Sequence, residues 1–130
     1  MKTLSTIQKG NTGEKYALKY LKKAGYKILE RNMRNIYSEI DIIAANREYI
    51  IFVEVKSRTS EDFLRPAVAV DYKKQRKIMS AAHEYLKCNR INKQPRFDVA
   101  EVYLDSETSK PYKINYIANA YIQGGSYAIF

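Results

Sequence analysis

A chain of 130 residues, 45% of them hydrophobic and 28% charged, has the size of one compact domain and too much apolar content for a disordered segment. Its net charge of +9 calls for a polyanionic partner, nucleic acid before an anionic membrane surface. One cysteine, Cys88, and one histidine, His83, exclude a disulfide framework, paired-cysteine zinc sites and multi-imidazole centres, so a metal bound here takes oxygen ligands. The opening MKTLSTIQKGNTGEKY has no apolar signal-peptide core and no apolar run is long enough to span a bilayer, which reads as a soluble, cytoplasmic protein without a membrane role.

Residues 12–24 place Tyr16, Ala17, Tyr20, Leu21 and Ala24 at spacings of three and four, the stripe of an amphipathic helix that Gly25 stops. Tyr26–Glu30 alternates and predicts a first strand leading into a polar loop, Arg31–Asn35. Residues 37–45 and Tyr49–Lys56, joined by the turn-like Asn46, Arg47 and Glu48, predict a hairpin. Residues 57–66 mix hydroxyls, charges and a proline without periodicity and read as a loop. A second helix follows over Val70–Lys87, with Ile78, Ala81, Ala82, Tyr85 and Leu86 on its apolar face. Its first turns carry Lys73, Lys74, Arg76 and Lys77. Cations at a helix N-terminus oppose the macrodipole, which suits either an external anion or a merely solvated face. Arg96–Leu104 and Tyr112–Ile122 predict two last strands around a polar turn, and the tail GGSYAIF carries no assignment. The order α-β-β-β-α-β-β implies a mixed α/β sheet with helices packed on it, as one domain over 1–130.

The hairpin carries the chemistry. Asp41 on one strand, and Glu54 with Lys56 on the next, interrupt otherwise apolar runs. Alternation puts Glu54 with Lys56, and Glu39 with Asp41, on common faces, and the turn at 46–48 sets Asp41 opposite 53 or 54. Two carboxylates this close either raise one pKa or recruit a hard cation, Mg²⁺ or Mn²⁺. A neighbouring ammonium then orients attacking water and stabilises charge on phosphorus, a set of groups suited to phosphodiester hydrolysis. The plainer alternative is a row of cross-strand salt bridges on a solvated face.

Asp41 followed by Glu54-Val55-Lys56 resembles the PD-(D/E)XK signature of restriction-endonuclease-like nucleases, with Ile40 where the name-giving proline stands. The segments Gly10-Asn-Thr-Gly-Glu14, Ser38-Glu-Ile-Asp-Ile-Ile-Ala44, Phe52-Val-Glu-Val-Lys-Ser-Arg58 and Arg96-Phe-Asp98, in this order, resemble the bacterial YraN family, related in fold to archaeal Holliday junction resolvases. The resemblance implies a restriction-endonuclease-like fold with core order αβββαβ plus a C-terminal strand. It makes Asp41 and Glu54 metal ligands with the Val55 carbonyl, Lys56 the catalytic lysine, and Glu14 the helix-one acid of resolvase-like members. The residues alone also allow Glu14 to be a helix N-terminal acid held by the macrodipole.

The expected activity is Mg²⁺- or Mn²⁺-dependent cleavage of DNA rather than RNA, in branched or repair intermediates. Arg31, Arg34, Arg58, Lys73, Lys74, Gln75, Arg76 and Lys77 would position phosphates, and a homodimer is compatible with this reading. The rival is a non-catalytic nucleic-acid-binding module on the same fold. His83 and Cys88 lack partners for catalysis, while Tyr37 and Tyr72, near the site, are the tyrosines placed to stack on bases.

Overall fold

The computed structural model describes residues 6–59 and 72–121. In chain order the elements are α1 (Thr6–Lys23), β1 (Lys27–Arg34), β2 (Glu39–Ala45), β3 (Tyr49–Thr59), α2 (Tyr72–Asn89), β4 (Gln94–Leu104) and β5 (Pro111–Tyr121). The strands form one mixed sheet ordered β1-β2-β3-β4-β5, in which, among the described residues, only the β3–β4 pair is parallel. That pair needs a crossover, and α2 lies within it.

Each helix covers one face. Ala17, Leu18 and Leu21 of α1 pack on Ile42, Ala44, Ile51, Val53, Ala100, Val102 and Leu104. On the opposite face Ile78, Ala81, Ala82 and Tyr85 of α2 pack on Ile40, Ile43, Ile50, Phe52, Phe97, Val99 and Tyr121. A sheet apolar on both faces explains the nearly unbroken apolar runs of β2 and β3.

The helix ends follow local chemistry. Gly25, at φ +91°, closes α1 while its N–H donates to the Lys22 carbonyl (3.1 Å) and the Tyr26 N–H to the Leu21 carbonyl (3.0 Å). This 5→2 and 6→1 pair of bonds satisfies carbonyls that the helix leaves open. In α2 the same arrangement uses Arg90 at φ 52°, with Ile91 N–H donating to the Leu86 carbonyl at 3.1 Å. In the β2–β3 turn, Asn46 Oδ1 accepts from the N–H groups of Glu48 (3.0 Å) and Tyr49 (2.7 Å), which fixes the hairpin register.

Several boundaries differ from the sequence reading. Arg31–Arg34 continue β1 instead of forming a loop, because an edge strand with one wet side needs no apolar alternation. Ser57, Arg58 and Thr59 continue β3, each in register with β4, opposite Val102, Tyr103 and Leu104. The α1 helix begins six residues earlier than expected, at Thr6, and β2 starts at Glu39. The remainder of the expected 57–66 loop, the first residues of the expected second helix and the tail lie outside the described residues.

Candidate active site

The sheet forks at Asp41. The β2–β3 ladder runs only from Ala45↔Ile50 to Ile42↔Val53, whereas β1–β2 pairing continues to Arg34↔Glu39 and β3–β4 pairing to Thr59↔Leu104. The two halves therefore part at the end of the four-pair ladder. Ile40 belongs to the α2-side core and Ile42 to the α1-side core, so the face alternation slips by one residue between them. Asn32, which the register sets opposite Asp41, adopts φ 50°, a left-handed conformation that asparagine tolerates better than most residues. The slip overturns the expectation that Glu39 shares a face with Asp41. Glu39 is exposed and ion-paired instead with Arg34 at 2.9 Å.

Asp41 spans the fork, its Oδ2 accepting the Val55 N–H at 2.8 Å. Burial, then the charge of Glu54, raises its carboxyl from 3.8 to about 7, with Glu14 adding to the rise and the Val55 amide and Lys74 opposing it. Glu54, 8% exposed, follows on β3 and takes Lys74 Nζ of α2 at 2.6 Å and Lys56 Nζ at 3.7 Å. Glu14 enters from α1, buried, and accepts from Arg31 Nε (3.3 Å) and Asn32 Nδ2 (3.1 Å) on β1. Asp41 thus feels carboxylates from both sides of the sheet, with Glu54 the stronger influence. Among the described residues no three acidic, histidine or cysteine side chains form a metal-binding group. The donor set at the fork is the pair Asp41 and Glu54, hard oxygens beside the backbone of Val55.

The cations expected to grip phosphates divide into two groups. Arg58 is 8% exposed and its Nε donates to Glu101 Oε2 at 2.8 Å, while Asn115 Nδ2 donates to the other oxygen at 3.0 Å. Arg58 thus neutralises a buried acid and stands apart from the solvent-facing cations. Lys74 belongs to the carboxylate cluster, and Arg31 and Arg34 pair with Glu14 and Glu39. Gln75 is buried in the α2 interface at 2% exposure. Lys73, Arg76 and Lys77 remain on the exposed face of α2, with the Arg76 guanidinium 5.8 Å from the ring centre of Tyr72.

Glu101 was not singled out in the sequence, although it interrupts the apolar run Phe97–Leu104 as Glu54 interrupts its own. Asp98 is fully buried and accepts from Arg96, from the Tyr116 hydroxyl and from the Asn119 N–H, a closed network that serves the fold. His83 and Cys88 are exposed on α2, the Cys88 thiol donating to Glu84 at 3.3 Å. Tyr37 and Tyr72 are half-exposed, as a stacking role requires.

These features define a mixed α/β protein, helices on both faces of a five-stranded sheet, with an acid–lysine cluster where two strands part. The chain belongs to a family described as the uncharacterised protein family UPF0102, whose model matches residues 13–102 and so includes Glu14, Asp41, Glu54 and Lys56. A UPF0102 protein of Caldanaerobacter subterraneus subsp. tengcongensis is 47% identical over 122 residues, covering 93% of this chain and all of the relative. One of Clostridioides difficile is 48% identical over 119 residues, 91% of this chain and all of the relative, and one of Clostridium acetobutylicum 48% over 113 residues, 86% and 92%. No helix among the described residues is long and apolar enough to cross a membrane.

Proposed function

We propose that this protein is a cytoplasmic, Mg²⁺- or Mn²⁺-dependent nuclease of restriction-endonuclease-like fold, hydrolysing phosphodiester bonds in DNA, with branched or repair intermediates as its substrates. The observation that carries the reading is the Asp41 carboxylate bonded across the fork to the Val55 amide, against Glu54 and within reach of two lysine-bearing elements. A carboxyl raised to about 7 beside a second carboxylate is in the electrostatic state that a dication relieves, and two carboxylates with a backbone carbonyl are the hard donors such an ion takes. When bound, the ion lowers the pKa of water and neutralises charge developing on the phosphate.

This chain's own groups supply the rest. Asp41 and Glu54, with the Val55 carbonyl, would hold the ion. Lys56, on the same strand face as Glu54 and partly exposed, orients the attacking water and faces the developing charge. Lys74, ion-paired with Glu54, balances its charge. Glu14, committed to Arg31 and Asn32, acts on Asp41 through its charge. Lys73, Arg76 and Lys77 hold flanking phosphates. The two ammonium groups already on Glu54 favour the second reading, a DNA-binding module without cleavage.

The test is a panel of duplex, nicked, flapped, four-way and single-stranded DNA plus RNA, assayed with each metal. The wild type should cut a branched or flapped DNA, and Asp41→Asn and Lys56→Ala should each lose at least about a hundredfold in rate while still binding. A wild type that binds but cuts nothing decides for the module. Cleavage surviving in both variants puts the active centre elsewhere.

A further inference from the structure

The turn between β1 and β2 takes no part in the carboxylate cluster, yet it displays Ile36 at 90% exposure, the most exposed large apolar side chain among the described residues. Nothing in folding rewards that placement. The turn is also braced. Asn35 N–H donates to the Ser38 carbonyl at 3.1 Å, and Asn35 Oδ1 accepts from the N–H groups of Tyr37 (3.0 Å) and Ser38 (3.4 Å). Asn35 Nδ2 donates to the Ala81 carbonyl of α2 at 3.0 Å, so the tip is tied to the helix on the far side of a cleft of about 290 Å³. Residues 34–39 and Lys77 line that cleft.

Its surroundings are cationic and aromatic. Arg34, paired with Glu39 at 2.9 Å, keeps three-quarters of its side chain in solvent, and Tyr37 is 44% exposed. Lys77 lies three residues beyond Lys74, so the two are neighbours on the helix surface, and Lys74 contacts Glu54. Along β2, Glu39 is two residues, or roughly 7 Å, from Asp41. A rigid apolar tip, a tyrosine ring and exposed cations therefore border the acid cluster on one side.

We propose that this turn is a wedge for DNA with interrupted stacking. Ile36 enters an opened base step, Tyr37 stacks on the base it uncovers, and Arg34, Lys73, Arg76 and Lys77 hold the phosphates on either side. Apolar side chains inserted between base steps unstack them, and the cost is least where a nick, flap or junction has already broken the stack. The wedge is then what selects branched over continuous duplex, and it rests on the nucleic-acid reading above.

The experiment uses the full chain in EDTA, so that cleavage plays no part. A four-way junction and a nicked duplex carry 2-aminopurine beside the discontinuity, with an uninterrupted duplex of the same sequence as reference. Wild type should raise 2-aminopurine fluorescence about twofold or more on the interrupted DNAs alone. Ile36→Ser, a surface change, should abolish the rise and cut the junction-over-duplex preference about tenfold while leaving duplex affinity within about twofold. Ile36→Met should keep both properties. An unchanged signal in Ile36→Ser overturns the wedge, and so does a wild type that binds all three DNAs equally without a rise, although DNA binding then stands. A wild type that binds no DNA removes both readings. Ile36-dependent pelleting with phosphatidylglycerol vesicles, in place of the fluorescence change, assigns the tip to a lipid surface and overturns the proposal.

Discussion

Between about pH 4 and 7 the folded chain holds a proton that the unfolded chain has released, because burial and Glu54 raise the Asp41 carboxyl from 3.8 to about 7. Where the native state binds more protons, stability falls as pH rises. The strain from this group is absent below 3.8 and complete above about 7. Asp41→Asn keeps an oxygen acceptor for the Val55 N–H and removes the charge, so it should stabilise the metal-free protein at pH 8 by about 2 kcal/mol, with the gain vanishing toward pH 4. Thermal melts of both proteins across that range check it. Saturating Mn²⁺ should remove the wild type's disadvantage at pH 8, since the ion takes the proton's place. A gain independent of pH would mean that Asp41 carries no unusual proton.

At the scale of elements, α1 sits on β3 and β4 with almost no clearance. A Cβ added to Gly13 would run into Ser57 Oγ, with Ser57 Cβ at 3.4 Å and Val102 Cβ at 3.7 Å. The obstacle is the end of one short side chain, and alanine in a helix interior is intrinsically favoured over glycine by about 1 kcal/mol. Gly13→Ala alone should therefore give no stability gain, whereas Gly13→Ala placed on Ser57→Ala should stabilise that background by up to about 1 kcal/mol. Denaturant titrations of the four proteins in the cycle provide the measurement. Equal effects in both backgrounds would mean that the helix shifts as a body.

The elements were legible where burial imposed a pattern. The hairpin and both helices follow from apolar spacing, and the α2 stripe packs as read, whereas on α1 the buried face is Ala17, Leu18 and Leu21, with Tyr20 and Ala24 turned to solvent. The misread segments, Arg31–Arg34 and Ser57–Thr59, are strand by backbone pairing alone, their side chains polar because one lies at a sheet edge and the other beyond the fork. Of the site, strand alternation sufficed to pair Glu54 with Lys56 and to bring Asp41 against Glu54. It failed for Glu39, because a slip in alternation leaves no compositional trace. Pairwise capture of cations was equally hidden: nothing in the sequence distinguishes Arg58, enclosed with Glu101, or Lys74, drawn to Glu54, from exposed Lys73.

For the whole molecule, a net charge of +9 makes any DNA affinity steeply salt-dependent, since each neutralised phosphate releases counterions with a slope near −0.9 in log–log form. Three cations in the first turns of α2, Lys73, Arg76 and Lys77, lie exposed, and the buried or acid-paired ones contribute less. Replacing Lys73, Arg76 and Lys77 together by Ala should lower the slope by about 2 to 3 between 50 and 200 mM salt, as read by fluorescence anisotropy. An unaltered slope would move the phosphate contacts off α2.

The β1–β2 hairpin is fastened to the other three strands by four residue pairs, while β3 and β4 share eleven. Mechanically it is a short arm clamped at one end, with Asn35 pinned to Ala81 near its free end and Asp41 between the two fixings. A load on the tip is therefore met at three points, the four-pair ladder, Asn35 on Ala81 and Asp41 on the Val55 amide, and the last of these keeps one carboxylate registered against the strand that carries the other.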